Sequence, residues 1–210
     1  MPGAPSPVLS RLRTDLPATS VLPSQPPVPV LTGGFADFAL RVASPSPDSA
    51  DAALVAEWMS RPHLVETWEQ PWGPERWAGD WRAKLATTYS VPLILSLRGE
   101  DIGYMEIYRP HRDEIGAVYA SEPHDLGLHI AVGDPELVGQ GIVGPMLGAL
   151  PPALLDADPE CRVVVGEPDH RNGRVHAVLR REGWIDRGER QQRPDRRVRL
   201  FLYGEDAATR

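Results

Sequence analysis

The order of strand-like and helix-like patterns along the chain predicts an α/β fold of the mixed, α+β kind. Three observations carry that prediction. Apolar stretches of strand length recur from residue 38 to residue 203, and helical patterns interrupt them instead of gathering at one end. Residues 91–97 and 102–108 are separated only by the polar turn Arg98-Gly99-Glu100-Asp101, which reads as an antiparallel hairpin. Residues 125–150 read as a strand, a glycine-rich turn and the start of a helix, which is the connection of an α/β unit.

Composition bounds what such a fold can do. A chain of 210 residues supports one sizeable core, and 41% apolar residues is ordinary for a globular protein. The formal charge of −7 argues against a nucleic-acid or anionic-membrane partner. A single cysteine, Cys161, excludes an internal disulfide and fits a reducing compartment. No apolar run approaches a membrane span, and the start lacks a basic-then-apolar signal pattern. The expectation is a cytoplasmic, monomeric, single-domain protein.

Residues 1–34 carry eight prolines and few large apolar side chains, so they read as an extension to a domain covering 35–210. Residues 28–31 are expected to dock as an edge segment. Residues 38–43 alternate like a short strand. Asp48, Ser49 and Asp51 offer caps for a helix over 52–59, with Leu54, Val55 and Trp58 on one face. Five of the six tryptophans then fall within positions 58–81. Trp77 and Trp81 lie four apart on a helix starting near Pro74, as core residues. Trp68 and Trp72, in a stretch that reads as a loop, are expected to line a pocket beside His63 and Glu66.

After the hairpin, residues 109–124 lack periodicity and read as a long surface loop. In the strand over 125–132 the even positions Leu126, Leu128, Ile130 and Val132 make an apolar face. A lone histidine, His129, projects from the other. Gly139, Gly141 and Gly144, with Gln140 among them, form a turn whose backbone amides and following helix suit a phosphate or pyrophosphate. Pro145 fits a first turn, whereas Pro151 and Pro152 should break that helix or kink it. Residues 162–166 form a compact strand, and Cys161, Val163 and Val165 on one face would put Glu167 in phase with them. Asn172 caps a helix packed through Val175, Val178 and Leu179, which Gly183 ends. Strands over 184–192 and 198–203 close the chain.

A strand, a G-Q-G-x-x-G turn opening a helix, a further strand, and then Asn172, Arg174, Leu179, Gly183 and Trp184 in series together resemble the GCN5-related N-acetyltransferase superfamily. EWMSRPHLVETWEQPW (57–72), YSVPLILS (89–96), GYMEIYR (103–109), HDLGLHIAV (124–132) and EPDHRN (167–172) are similar to its siderophore-biosynthesis branch, the mycobactin-type lysine N-acyltransferases. The resemblance spans about residues 25–205. It implies a mixed central sheet of about seven strands with a splayed strand pair and flanking helices.

It also implies a reaction: transfer of an acyl group from acyl-CoA or acetyl-CoA, or from an acyl carrier protein, to the N6 nitrogen of lysine or N6-hydroxylysine. Gly139, Gln140, Gly141 and Gly144 would hold the phosphates, with Val143 and Asn172 in the cofactor-binding set. Backbone amides near Ile130 and Val132 would polarise the thioester carbonyl. A lysine amine, which in water titrates at about 10.4, must lose a proton before it attacks. Glu167 is the expected general base, His129 orients the acceptor, and Asp169 is the reserve base whose other reading is a helix cap. His63 and Trp68 would line the acceptor site. His170 and His176, with Glu167 or Asp169, do not share a ligand spacing, and no metal is expected. Cys161, at a buried strand start, reads as structural. Two alternatives stand beside this reading. One is an aminoglycoside 6′-N-acetyltransferase-like enzyme for small amines. The other is a non-catalytic acyl-CoA-sensing module, favoured by Val138 and Val143, where the superfamily's Q/R-x-x-G-x-G/A loop has other residues.

Overall fold

A computed structural model describes residues 9, 12–17, 23–46, 48–68 and 70–210. Its strands are β1 (Phe38–Val42), β2 (Ser90–Leu97), β3 (Glu100–Tyr108), β4 (Leu126–Val132), β5 (Val164–Gly166), β6 (Ile185–Arg193) and β7 (Arg196–Tyr203). They form one sheet in the order β1-β2-β3-β4-β5-β7-β6, antiparallel throughout except between β4 and β5. The β2–β3 hairpin turns through Arg98 and Gly99, at φ of 53° and 88°, the left-handed backbone that a tight hairpin needs at both central positions.

The parallel pair decides where the site lies. β4 and β5 pair only at Leu126↔Val164 and Gly127↔Val165. Beyond that the strands part, while β4 stays paired to β3 as far as Val132. Gly133 N–H bonds to Ile102 O, so by strict alternation the odd residues of β4 bond to β3. Leu128, Ile130 and Val132 therefore present their peptide groups to the open edge.

The helices are α1 (Ala50–Met59), α2 (Pro62–Trp68), α3 (Pro74–Leu85), α4 (Met146–Ala157) and α5 (Gly173–Arg181). Ser49 caps α1 through Ala52 N at 3.3 Å, and Asn172 caps α5 through Val175 N at 3.3 Å. Gly183, at φ 87°, ends α5. α4 and α5 pack with the even residues of β4 on one sheet face. α1 and α3 pack against Ile94, Tyr104 and Ala131 on the other. A third cluster gathers Tyr108, Val163, Val165 and Leu200 on that second side, under the chain's end.

Three local expectations are corrected. Trp68 is not in a loop: it is the last residue of α2, which Pro62 opens at a position where its missing N–H costs nothing. Pro151 and Pro152 do not break α4, which runs through both. The N–H that residue 151 would offer Leu147 O is replaced by the Trp184 indole, which donates to that carbonyl at 2.8 Å. Cys161 does not share the face of Val163 and Val165; it lies before β5 and packs with Val164 in the α4–α5 core.

Residues 28–31 lie against the domain, with Leu31 buried, but form no strand. Arg13 N–H donates to Arg112 O at 2.9 Å, its guanidinium to Gly116 O at 3.0 Å, and the buried Arg109 donates to Ser24 O at 3.2 Å. Among the described residues no helix is long and apolar enough to cross a membrane.

Candidate active site

The register of β3 on β4 assembles the centre of the site. Tyr104, Glu106 and Tyr108 stand on one face of β3 by the two-residue repeat, opposite Ala131, His129 and Gly127. A Cβ on Gly127 would lie 2.4 Å from the Tyr108 ring. Glycine there lets that ring cross the strand and stack on His129, with centroids 4.6 Å apart. The Trp68 ring closes the other side edge-on at 6.0 Å.

Glu167 enters at the end of β5, where the two strands part. Its Oε1 lies 2.6 Å from His129 Nε2 and accepts from Tyr108 Oη at 2.5 Å. Its Oε2 is buried with no hydrogen-bond partner. On the far side of the imidazole, Glu106 Oε2 lies 3.7 Å from His129 Nδ1, a charge-pair contact and not a hydrogen bond. Burial opposes charge on His129, but the two carboxylates outweigh it and push the imidazole up to about 10. His129 is then an imidazolium at neutral pH. Burial likewise opposes charge on Glu106, yet Lys84 and His129 hold its carboxyl below the usual range. Burial and the Glu167 charge raise Tyr108, keeping its hydroxyl a donor.

Beneath this row lies a second. Lys84 Nζ reaches Glu106 Oε1 at 2.6 Å and Asp80 Oδ2 at 2.8 Å, with the lysine side chain 1% exposed. Tyr104 Oη donates to Glu106 Oε1 at 2.6 Å and accepts from Trp81 Nε1 at 2.9 Å. Lys84 is the only lysine in the chain.

A cleft of about 1530 Å³ runs from α2 and α3, across β4 and Glu167, to the glycine turn and α5. At its far end Gly139 and Gly141 take φ of 83° and 74°, a backbone that other residues adopt only with strain. Gln140 between them is exposed, Val143 is turned into the α4–α5 core, and Gly144 lines the wall. α4 starts with neither a capping side chain nor an acidic residue in its first turn. Arg174 Nη1 lies 3.0 Å from where a Cβ on Gly139 would stand, and no acidic side chain among the described residues pairs with it. Open amides, an uncapped helix start and an unpaired guanidinium make a fit for the phosphates of a CoA-type donor.

The other expected residues fall around this frame. His63 Nε2 bonds to Val132 O at 3.0 Å and Trp68 Nε1 to Ile130 O at 3.4 Å. Both side chains line the cleft and occupy carbonyls of the open edge, leaving its amides exposed to a ligand. Asp169 binds the Arg171 backbone and guanidinium at 2.8 Å each, and His176 bonds to its carbonyl, so it builds the turn before α5. The Asn172 side chain is committed to its cap. Sequence reasoning missed Glu106, Lys84, Asp80, Tyr104 and Tyr108. The available signal was a charged residue inside the apolar strand IGYMEIY, flanked at two-residue spacing by tyrosines, and a lone lysine four residues from an aspartate between tryptophans.

Comparison with known proteins bears on the family and the fold. A family described as "Acetyltransferase (GNAT) domain" matches residues 48–192. A "Lysine N-acyltransferase MbtK" of Mycobacterium sp. (strain MCS) is 42% identical over 84% of this chain and 69% of its own. That of Mycolicibacterium paratuberculosis is 40% identical over 98% of this chain and 88% of its own. Among solved structures, aminoglycoside acetyltransferase AAC(6')-Ib in complex with coenzyme A superposes with a TM-score of 0.68 at 23% identity, covering 82% of this chain and 97% of that one.

Proposed function

The chain belongs to the GNAT acetyltransferase family, and from that premise we propose that it is a lysine N-acyltransferase of siderophore assembly in which Glu167 takes the proton of the attacking amine. The observation that carries the role of Glu167 is its divided carboxylate. Oε1 is held by His129 and Tyr108, Oε2 is buried and unpartnered, and the residue lies on the wall of the cleft. A carboxylate fixed through one oxygen keeps the other aimed, and an amine arriving as an ammonium finds a hydrogen-bond acceptor and then a base. His129, already carrying a proton, cannot be that base at neutral pH. Its part is to fix Glu167 and to border the acceptor with Trp68.

A bound acyl-CoA supplies the activated thioester carbonyl. The amides of Ile130 and Val132 face the open edge of β4, where they can donate to an oxygen that gains negative charge. Arg174 and the backbone of residues 139–144 hold phosphate, and a pantetheine arm on an acyl carrier protein would enter by the same opening. Residues 35–210 make up the acyltransferase domain, residues 1–34 are an extension outside the chemistry, and the enzyme works as a cytoplasmic monomer.

The test is release of free thiol from acyl-CoA with lysine, N6-hydroxylysine or a kanamycin-type amine as acceptor. Turnover confined to the lysine-type acceptors is expected. Turnover of the kanamycin-type amine alone would replace the acceptor assignment, and donor binding without turnover of any amine would favour a sensing module.

A further inference from the structure

We propose that Glu106 is a positioning residue that fixes the His129 ring against Glu167, and that Lys84 with Asp80 holds Glu106 in place. The inference rests on the acyltransferase reading above and adds residues that act on the site through His129. Its basis is an unbroken alternation of charge from α3 through β3 and β4 to the end of β5. Asp80 and Lys84 come from α3 at 2.8 Å, Lys84 and Glu106 meet at 2.6 Å, Glu106 and His129 at 3.7 Å, and His129 and Glu167 at 2.6 Å. Each inner charge has an opposite charge on both sides, and the last group of the line is the carboxylate whose second oxygen is buried without a hydrogen-bond partner.

Glu106 is the pivot because its oxygens are divided. Oε1 receives both Lys84 and Tyr104, and Oε2 is left for the imidazole. The carboxylate cannot turn without losing two contacts in a place where no water replaces them. With an anion fixed beside Nδ1, the ring keeps a proton on each nitrogen, and Nε2 must donate to Glu167. Remove that anion and the ring can flip, or can lose its second proton and present a lone pair to Glu167. Either change frees Glu167 to swing. The other titratable groups facing the line are Tyr104 and Tyr108 from β3, Tyr89 just before β2 and Asp113 in the turn after β3. Tyr89 donates to Asp113 and Tyr108 to Glu167, so the hydroxyls are all spent as donors. His63 on α2 is engaged by Val132 O.

Glu106→Gln keeps the shape and removes the charge. The folded variant should show acceptor kcat/KM reduced about tenfold or more, with unchanged CoA affinity by calorimetry. The His129 imidazole, followed by ring-nitrogen NMR from pH 5 upward, should titrate at least about one pH unit lower than in the parent. Glu106→Asp, which restores the charge, should recover part of both effects. If the single variant does not fold, Glu106→Gln combined with Lys84→Met and Asp80→Asn removes the three buried charges behind His129 together and must give the same two shifts. A folded variant with parental kinetics overturns the proposal. So does a loss of activity with an unmoved ring titration, which would mark Glu106 as merely structural. The NMR measurement needs no acceptor. A parent enzyme that fails to acylate lysine would therefore sink the substrate assignment while leaving the Glu106 result to stand or fall alone.

Discussion

The two ends of the cleft are built on opposite principles. At the acceptor end, side chains do the holding: five charges and three tyrosines, most of them buried, are locked to one another by short contacts. At the donor end the backbone does it, through glycines at positive φ, the open amides of β4, a helix start without a cap and an arginine with no acidic partner among the described residues. A site that must hold a reacting nitrogen to within a fraction of an ångström has to be finished before the substrate arrives. A site that only grips phosphates can leave its donors open and let the ligand complete them. Substitutions at the acceptor end should therefore cost stability or rate, and those at the donor end affinity alone.

The sharpest test of that contrast is Glu167→Gln, which keeps size and reach but removes the base. We expect kcat on lysine to fall by about 10²–10⁴-fold with CoA affinity unchanged. The defect should shrink on N6-hydroxylysine, whose nitrogen is far less basic. Parental kcat in this variant would remove Glu167 from the base role and break the contrast at its centre. Next comes Lys84→Met, which strands two carboxylates in the core. A loss of about 3–5 kcal/mol in unfolding free energy, read from denaturant titration, is expected. A stable variant would mean that Asp80 and Glu106 find protons or water more easily than their burial implies.

At the donor end Arg174→Ala should raise the CoA dissociation constant about tenfold, the value of a charge-assisted bond, while unfolding and acceptor KM stay put. A change in stability instead would show that the arginine has a structural partner. A further effect should appear in the pH dependence of the acceptor end. The folded-state pKa of His129 is raised from 6.5 to about 10. Its stabilisation is thus fully present below about pH 6.5 and drains away as pH rises towards 10. Unfolding free energy should decline across that window, and Glu106→Gln should flatten the decline. Smallest of all, deleting residues 1–24 removes the contacts of Arg13 and Ser24 and should lower stability by about 1–2 kcal/mol with kcat unchanged within about twofold. A catalytic defect would bring the extension into the site.

Much of this was legible in the residues themselves. Every strand can be placed from period and turn signals, and the parity of residues 125–132 puts His129 on the face that it occupies. The Glu167–His129 pair needed the family resemblance, because the two residues are 38 positions apart and nothing local joins them. Glu106 escaped notice because its meaning depends on which β4 residue stands opposite, and register is a property of two strands. Pro151 and Pro152 misled for a similar reason. The group that satisfies the freed Leu147 carbonyl belongs to Trp184, 37 residues away. Trp68 was misplaced by the glycine and prolines that follow it, which end α2 without preventing it.

The one lysine of the chain is among the least accessible charges of the described residues, at 1% exposure between two carboxylates. An enzyme that consumes ε-amines thus offers none of its own to a reactive thioester. Surface cations are arginines, whose guanidinium groups stay protonated and do not acylate. Immunity to self-modification follows without any guarding loop. Prolonged incubation with excess acyl-CoA should leave the intact mass of the folded protein unaltered apart from its α-amino group, and acylation of Lys84 should begin only when the core is opened by denaturant.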